Sequence, residues 1–350
     1  MNKRAWLRLM SSVTSVVAVC MMTAGIASAQ QLRVAVTSAA EGAPFFAAME
    51  RGVFSKLGLD VKVDVLPSGV EIVNALSSGT ADVGLFGTFP FLTAVSRGLP
   101  FVLIGHTWNN ATKNPQSEVL SIIARQDSGI AANDLKTLKG KKIGVTRGAG
   151  GEPYIVGILK QNGLAVEDVT LVNTAPPNMA TALANKDVDA ITAWEPWQSS
   201  ALTKVKGSYK VLYGGCQNCY DAGTIVTTKK TIDEKSKQLE QFILGYAQGG
   251  AWVRANREEA AKISVRWIPG MVGETMSLSI KNIPLDVRLS KNTVEGFAQY
   301  SIPLLAREKR IPKEFDPAPV VDNRFVAAAI KADSTAFADL PAIPADKRLP

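Results

Sequence analysis

Histidine is almost missing from this sequence: His106 is the only one in 350 residues, and cysteine occurs three times, as Cys20, Cys216 and Cys219. A lone imidazole without a partner does little acid–base work, and a Ser-His-Asp relay would need a second, better placed histidine. A zinc site would need more Cys or His ligands than the chain offers. There is no GxxxxGK phosphate loop and no carboxylate pair in a glycosidase-like context. Aromatics make up 7% of the residues, and no basic stripe interleaves with them, which excludes a nucleic-acid surface. No fixed-period repeat runs through the chain, so a solenoid is excluded. A purely adhesive or structural protein would show repeats or an exposed aromatic surface, and neither is evident. The chemistry this list leaves is binding rather than catalysis, with no cofactor and no metal expected.

What is present begins with an address. Lys3, Arg4 and Arg8 open the chain, no acid precedes Glu41, and an apolar stretch runs from Val13 to Ile26. Ala27-Ser28-Ala29 then supplies the small-x-small pattern of signal-peptide cleavage. The stretch is short and broken by Ser, Thr and Gly, which argues against a membrane span. Val19 before Cys20 argues against a lipid anchor. The pattern predicts a cleaved signal peptide over residues 1–29 and a soluble monomer in the periplasm. Three of the positive charges lie in that leader, so the formal charge of +8 falls to +5 beyond it. That excess favours acidic small molecules as ligands. In an oxidising compartment Cys216 and Cys219 predict a tight structural disulfide. A redox pair, which wants a helix N-terminus beside it, and a metal site are the alternatives.

Short apolar runs alternate with amphipathic segments, the pattern of parallel α/β construction. Strands are expected at Leu32–Thr37, Val61–Leu66, Ala81–Phe86 and Pro100–Gly105, with helices at Pro44–Leu57, from Glu71, and at Pro90–Arg97. A second set follows: strands at Val119–Ala124, Ile143–Thr146, Val169–Val172, Ala190–Ala193 and Lys210–Tyr213, helices at Pro153–Gln161 and Met179–Lys186. Gly223–Thr227 reads as a strand returning to the first lobe. Helices are then expected at Ile232–Arg257, Glu258–Trp267, Thr293–Arg310 and Val326–Ile330, before a loosely ordered tail. The expected organisation is lobe 1 over 30–117 and 223–333, lobe 2 over 118–222, and a tail over 334–350.

In open α/β sheets, ligands sit beyond the carboxyl ends of strands, where helix N-termini present free amides. That rule nominates Ser38, Ser68 and Thr88 in the first lobe. In the second it nominates Gly148, Gly150, Gly151, Trp194 and Glu195, with Asp221 beside the cysteine loop. Each is also explained by plain loop chemistry, glycine for a turn or Ser and Thr as caps; their joint placement at strand ends carries the functional reading. Trp108, Trp197, Phe45 and Phe89 are candidate apolar walls.

Several ordered motifs carry a resemblance. They are Gly52-Val-Phe-Ser-Lys-Leu-Gly-Leu-Asp-Val61, Ala75-Leu-Ser-Ser-Gly79, Ala81-Asp-Val-Gly84, Leu135-Lys-Thr-Leu-Lys-Gly-Lys-Lys-Ile-Gly-Val145, and Asp187-Val-Asp189 leading into Ala193-Trp-Glu-Pro-Trp197. The chain resembles the periplasmic binding proteins for taurine, alkanesulfonates and nitrate from about Val34 to Ile330. The resemblance implies a type II two-lobed binding protein with a ligand cleft between the lobes. It also implies an inner-membrane ABC permease with a cytoplasmic ATPase as partner. The implied ligand is a small organic anion, taurine or another aliphatic sulfonate, with aromatic sulfonates or carboxylates and nitrate as alternatives. The sequence departs from the family's pattern where relatives often carry a Ser/Thr-rich turn and this chain has Gly148-Ala-Gly-Gly151, and at Glu195. A related fold makes the thiamine pyrimidine in fungi, so such an enzyme is the competing class; it relies on a histidine and a cysteine-rich iron site.

Glu152-Pro153 and Glu195-Pro196 each stand where a helix of the second lobe should begin. One expectation is a polarised cleft, with the anionic head on Ser38, Ser68 and Thr88 and an amine facing Glu195. The other is that both glutamates cap their helices and turn away.

Overall fold

A computed structural model describes residues 30–109, 119–212 and 220–350. The expected leader and the Cys216–Cys219 pair lie outside the described residues. The strands are β1 (Gln30–Thr37), β2 (Leu59–Leu66), β3 (Val83–Gly87), β4 (Phe101–His106), β5 (Leu120–Ala124), β6 (Lys142–Val145), β7 (Thr170–Asn173), β8 (Ala190–Trp194), β9 (Tyr209–Lys210) and β10 (Gly223–Thr228). They form two five-stranded sheets, ordered β2-β1-β3-β10-β4 and β7-β6-β8-β5-β9.

The two sheets repeat one plan. β1 is parallel to β2 and β3, and β6 is parallel to β7 and β8. One antiparallel strand interrupts each sheet, β10 between β3 and β4 and β5 between β8 and β9. β5 and β10 are the first strands after each crossing between lobes. The central strand β3 is buried almost throughout, and β4, at the sheet's other edge, is buried along its whole length, as strands covered on both faces should be. Edge strand β2 alternates buried and open positions instead.

The helices that cover the first sheet are α1 (Ala43–Glu50), α2 (Val53–Lys56), α3 (Gly69–Ser77) and α4 (Thr88–Ser96). The second lobe adds α5 (Gly151–Gln161), α6 (Met179–Ala184) and α7 (Trp197–Lys204). The remaining chain forms α8 (Lys229–Ala255), α9 (Arg257–Ser264), α10 (Gly273–Lys281), α11 (Lys291–Gly296), α12 (Ile302–Arg307) and α13 (Arg324–Ala332).

Three expectations change for physical reasons. The helix expected over Pro44–Leu57 is two helices, because Gly52 sits at φ +64 and breaks it. The helix expected over Thr293–Arg310 is α11 and α12 joined by a π-turn at Phe297–Ser301. The turn directly precedes Pro303, which has no N–H to continue the α pattern. The tail is not loose: Ala336 and Phe337 are buried, Arg254 bonds Asp339 at 2.7 Å and the Ala336 carbonyl at 2.9 Å, and Arg288 reaches the Pro341 carbonyl at 2.9 Å. Helix α10 carried no strong sequence signal and is an addition.

The first-lobe core places Phe54 stacked on Phe242 at 5.4 Å, with Phe45 at 5.7 Å from Phe54. Helix α8 lies so close to α1 that a Cβ on Gly249 would sit 2.2 Å from the Pro44 carbonyl oxygen. A second apolar cluster, including Ile122, Leu138, Ile143 and Ile155, fills the other lobe.

Candidate functional site

A cleft opens between the sheets at the carboxyl ends of their strands. From the first lobe it takes Thr37 at the end of β1, Gly69 at the start of α3, Gly87 at the end of β3, and Pro90 of α4. From the second it takes Ala149 and Gly150 just before α5, and Trp194 at the end of β8. Trp108, Val119, Leu120 and Asp221 come from the two crossings, and Glu41 from the turn after β1. The parallel topology thus aims three helix starts, those of α3, α4 and α5, at one space, and such ends carry partial positive charge.

The ionisable groups that line the cleft are two carboxyls, Glu41 and Asp221. Glu41 and Asp221 are 8% and 7% exposed. Burial pushes the Glu41 carboxyl up to about 8; the nearby Asp221 charge adds to this, and the Trp108 and Thr107 side chains offset part of it. Burial pushes Asp221 up to about 7, against hydrogen bonding from Ala222 and Thr88. The Ala222 amide donates to Asp221 Oδ1 at 3.0 Å. No lysine, arginine or histidine lines the cleft among the described residues. The Trp194 indole N–H is buried without a partner among the described residues.

Of the residues nominated from sequence, the fold brings Gly150, Trp194 and Asp221 together on the cleft. A Cβ on Gly150 would stand 3.4 Å from Asp221 Oδ2, so glycine there preserves room beside the acid. Gly148, at φ +77, and Gly151, whose Cβ would meet the Thr192 carbonyl at 3.1 Å, shape the turn behind it. Ser68 caps α3, accepting from the Val70 amide at 3.3 Å and donating to Glu71. Thr88 donates from its hydroxyl to the Ala222 carbonyl at 2.9 Å. Ser38 is buried, and its carbonyl accepts the Trp197 indole N–H at 3.0 Å.

Glu195 does not line the cleft, which corrects the expectation that it faces a ligand amine. Its Oε1 accepts from Gln198 and Asn282 at 2.7 Å each and from Ser199 at 2.9 Å, and its Oε2 accepts from Ser279 at 2.9 Å. All of its capacity goes to buttressing α7 against α10. Glu152 is likewise spent: it accepts the Gly148 amide at 2.9 Å and pairs with Arg147 and Arg310. Burial alone would raise it, but these partners hold it below the usual carboxylate range.

His106 is buried with both ring nitrogens engaged, Nδ1 with the Gly223 carbonyl at 2.7 Å and Nε2 with Thr293 Oγ1 at 3.0 Å. Burial lowers it to about 4, against the Gly223 bond and the Asp286 charge. It is a neutral tie between β4, β10 and α11. Phe45 and Phe89 belong to the core, whereas Trp108 is a cleft wall. The residue that sequence reasoning missed is Glu41. Its signal was there: it is the only charged residue between Arg33 and Glu50.

Two α/β lobes of one plan, crossed twice by the chain and enclosing a cleft at the carboxyl ends of both sheets, define the architecture of periplasmic binding proteins. The chain belongs to the NMT1/THI5-like family, whose model matches residues 39–260. A Bacillus subtilis (strain 168) protein named for binding aliphatic sulfonates is 28% identical over 300 residues, covering 83% of this chain and 86% of that one. Among solved structures, the alkanesulfonate-binding protein SsuA of Xanthomonas axonopodis pv. citri superposes with a TM-score of 0.71 at 20% identity, over 84% of this chain and 98% of that one. The periplasmic nitrate-binding protein NrtA of Synechocystis PCC 6803 gives 0.74 at 16% identity, over 90% and 91%.

Proposed function

We propose that this chain is the solute-capture component of an ABC-type importer, closing its lobes on a small organic solute of the aliphatic sulfonate class. The observation that carries this reading is the cleft itself, walled by both lobes and both crossings, with three helix starts aimed into it. Their amides and the Trp194 N–H, which has no partner among the described residues, suit the oxygens of a sulfonate. The name of the Bacillus subtilis relative points the same way. On this reading the chain works in the periplasm, delivers to a membrane permease with a cytoplasmic ATPase, and binds rather than converts. Against the enzyme alternative stands His106, whose two ring nitrogens are already engaged away from the cleft. Aromatic sulfonates are the second reading, favoured by the Trp108 and Trp194 walls.

A thermal-shift panel of taurine, ethanesulfonate, an aromatic sulfonate, benzoate and nitrate tests the proposal. A solute bound only by the folded protein raises its melting temperature with concentration. An aliphatic sulfonate is expected to give the largest shift, and absence of a shift from every sulfonate overturns the reading.

A further inference from the structure

We propose that Arg310 and Glu308 form an electrostatic lock between the lobes, outside the cleft, and that this lock sets how tightly solute is held. The inference rests on the cleft being the solute site and adds residues that never touch the solute.

The first argument is where α12 lies. It packs across α4 of the first lobe and α5 of the second, and the starts of both helices reach the cleft. On the first-lobe side its attachment is apolar and buried. Phe297, in the π-turn before α12, meets Phe91 of α4 at 6.3 Å and the Tyr220 ring at 5.5 Å. Ser301 donates to the Tyr220 carbonyl at 2.6 Å, and Thr293 of α11 meets His106 at 3.0 Å. On the second-lobe side the attachment is ionic. Arg310, in the turn that ends α12, pairs with Glu152, and Glu308 accepts from Lys160 Nζ at 2.8 Å. Where Leu304 touches α5 it meets Gly157, which offers no side chain to interlock with. Parting the first kind of contact exposes apolar surface, whereas half-exposed Arg310 and Lys160 can exchange their partners for water.

The second argument is what each acid keeps when the lobes part. Glu152 is fully buried, and stranding a buried carboxylate is costly. Arg147, from its own lobe, pairs with the same Oε1 as Arg310, and the Gly148 amide donates to Oε2 at 2.9 Å. Glu308 has Arg307, from its own segment, beside it at 3.7 Å. Each acid therefore retains a cation when its partner across the lobes leaves, so the lock opens without an unpaired buried charge. Asp82 differs: both of its cations, Arg33 and Lys235, come from the first lobe, and that cluster is a fixed brace.

The third argument is the link to the cleft. Glu152, which Arg310 grips, also holds Gly148, at the start of the turn that brings Ala149 and Gly150 to the cleft. Arg310 is thus a positioning residue that acts through Glu152 and this turn. Both lobes meet the solute only in the closed form, so apparent affinity follows the population of that form.

Calorimetry with ethanesulfonate and small-angle scattering without solute, both on the full-length protein, test the lock. Arg310→Met is expected to weaken ethanesulfonate about tenfold and to enlarge the solute-free radius. Raising salt from about 50 to about 500 mM should weaken the parent more than Arg310→Met, which has already lost a screened pair. Lys160→Glu and Glu308→Lys should each weaken binding about threefold, and combining them should regain most of that loss. A side chain with only a local structural role gives no such recovery; circular dichroism confirms that each variant is folded. Variants that all bind as the parent does, or a double variant no better than either single one, overturn the lock and leave the sulfonate reading standing. Failure of the parent to bind ethanesulfonate counts against the sulfonate reading, and the radius then decides the lock: larger in Arg310→Met upholds it, unchanged overturns it.

Discussion

The Trp197 indole N–H donates to the Ser38 carbonyl at 3.0 Å, bonding the first helix turn after β8 to the loop after β1. A neighbouring backbone bond, from the Ala40 amide to the Glu195 carbonyl at 3.2 Å, crosses the same boundary. The lobes are thus held together beside the cleft, with the second lobe's tryptophan as the latch. Trp197→Phe keeps the ring and deletes the bond. It is expected to cost about 1 kcal/mol of closure, read as roughly fivefold weaker solute binding. Small-angle scattering should show a larger radius for the variant than for the parent without solute.

Glu195 offers a test of structure against charge reading. Four donors converge on its carboxylate, from α7 and α10. Glu195→Ala removes the acceptor they share; Gln198 and Ser279 keep the Val119 and Thr275 carbonyls, Ser199 and Asn282 lose theirs, and a loss of about 1–3 kcal/mol is expected in denaturant unfolding. The ratio of taurine to ethanesulfonate affinity should not move, because Glu195 faces helices rather than solute. A collapse of that ratio would return Glu195 to the site.

Stability should depend on pH through the cleft acids, with a sign opposite to that of ordinary ion-paired carboxylates. Glu41 is raised from 4.5 to about 8 and Asp221 from 3.8 to about 7. For such groups the stabilisation is whole below the unfolded value and drains as pH climbs to the folded one, because the unfolded chain gives up its proton first. The solute-free protein is therefore expected to melt at progressively lower temperature as pH rises from 4.5 to 8. Glu41→Gln should flatten the upper part of that slope. Asp82 and Glu152, both lowered by their partners, act the other way, and their contribution is lost as pH falls below the ordinary carboxyl range. Differential scanning fluorimetry across the range resolves the two limbs.

The close crossing of α1 and α8 depends on one hydrogen atom. A methyl at Gly249 would lie 2.2 Å from the Pro44 carbonyl oxygen, which is backbone and cannot swing aside. Gly249→Ala is expected to destabilise by about 1–3 kcal/mol despite its higher helix propensity. Gly273→Ala, where the space is open, is the control and should be near neutral.

Local sequence was enough for most of the elements, though not for α10 or for the breaks at Gly52 and Phe297–Ser301. Strand runs such as Pro100–Gly105 and helices such as Met179–Lys186 are written in patterns of a few residues, because backbone hydrogen bonds and side-chain periodicity act over that range. The rule about carboxyl ends of parallel strands nominated Ser68, Thr88 and Gly150, and the cleft is lined by Gly69 and Gly87 beside the first two and by Gly150 itself. What each acid does was decided only by tertiary structure. Glu195 stands in a conspicuous motif, yet Ser279 and Asn282, from a helix with little sequence signal, absorb its charge. Glu41 sits in an unremarkable alanine-rich turn, yet it shares the cleft with Asp221, and neither has a cation partner among the described residues. Whether a carboxylate is spent or available depends on which donors long-range packing delivers within hydrogen-bond reach. That distance is set by the fold, and no short stretch of sequence contains it.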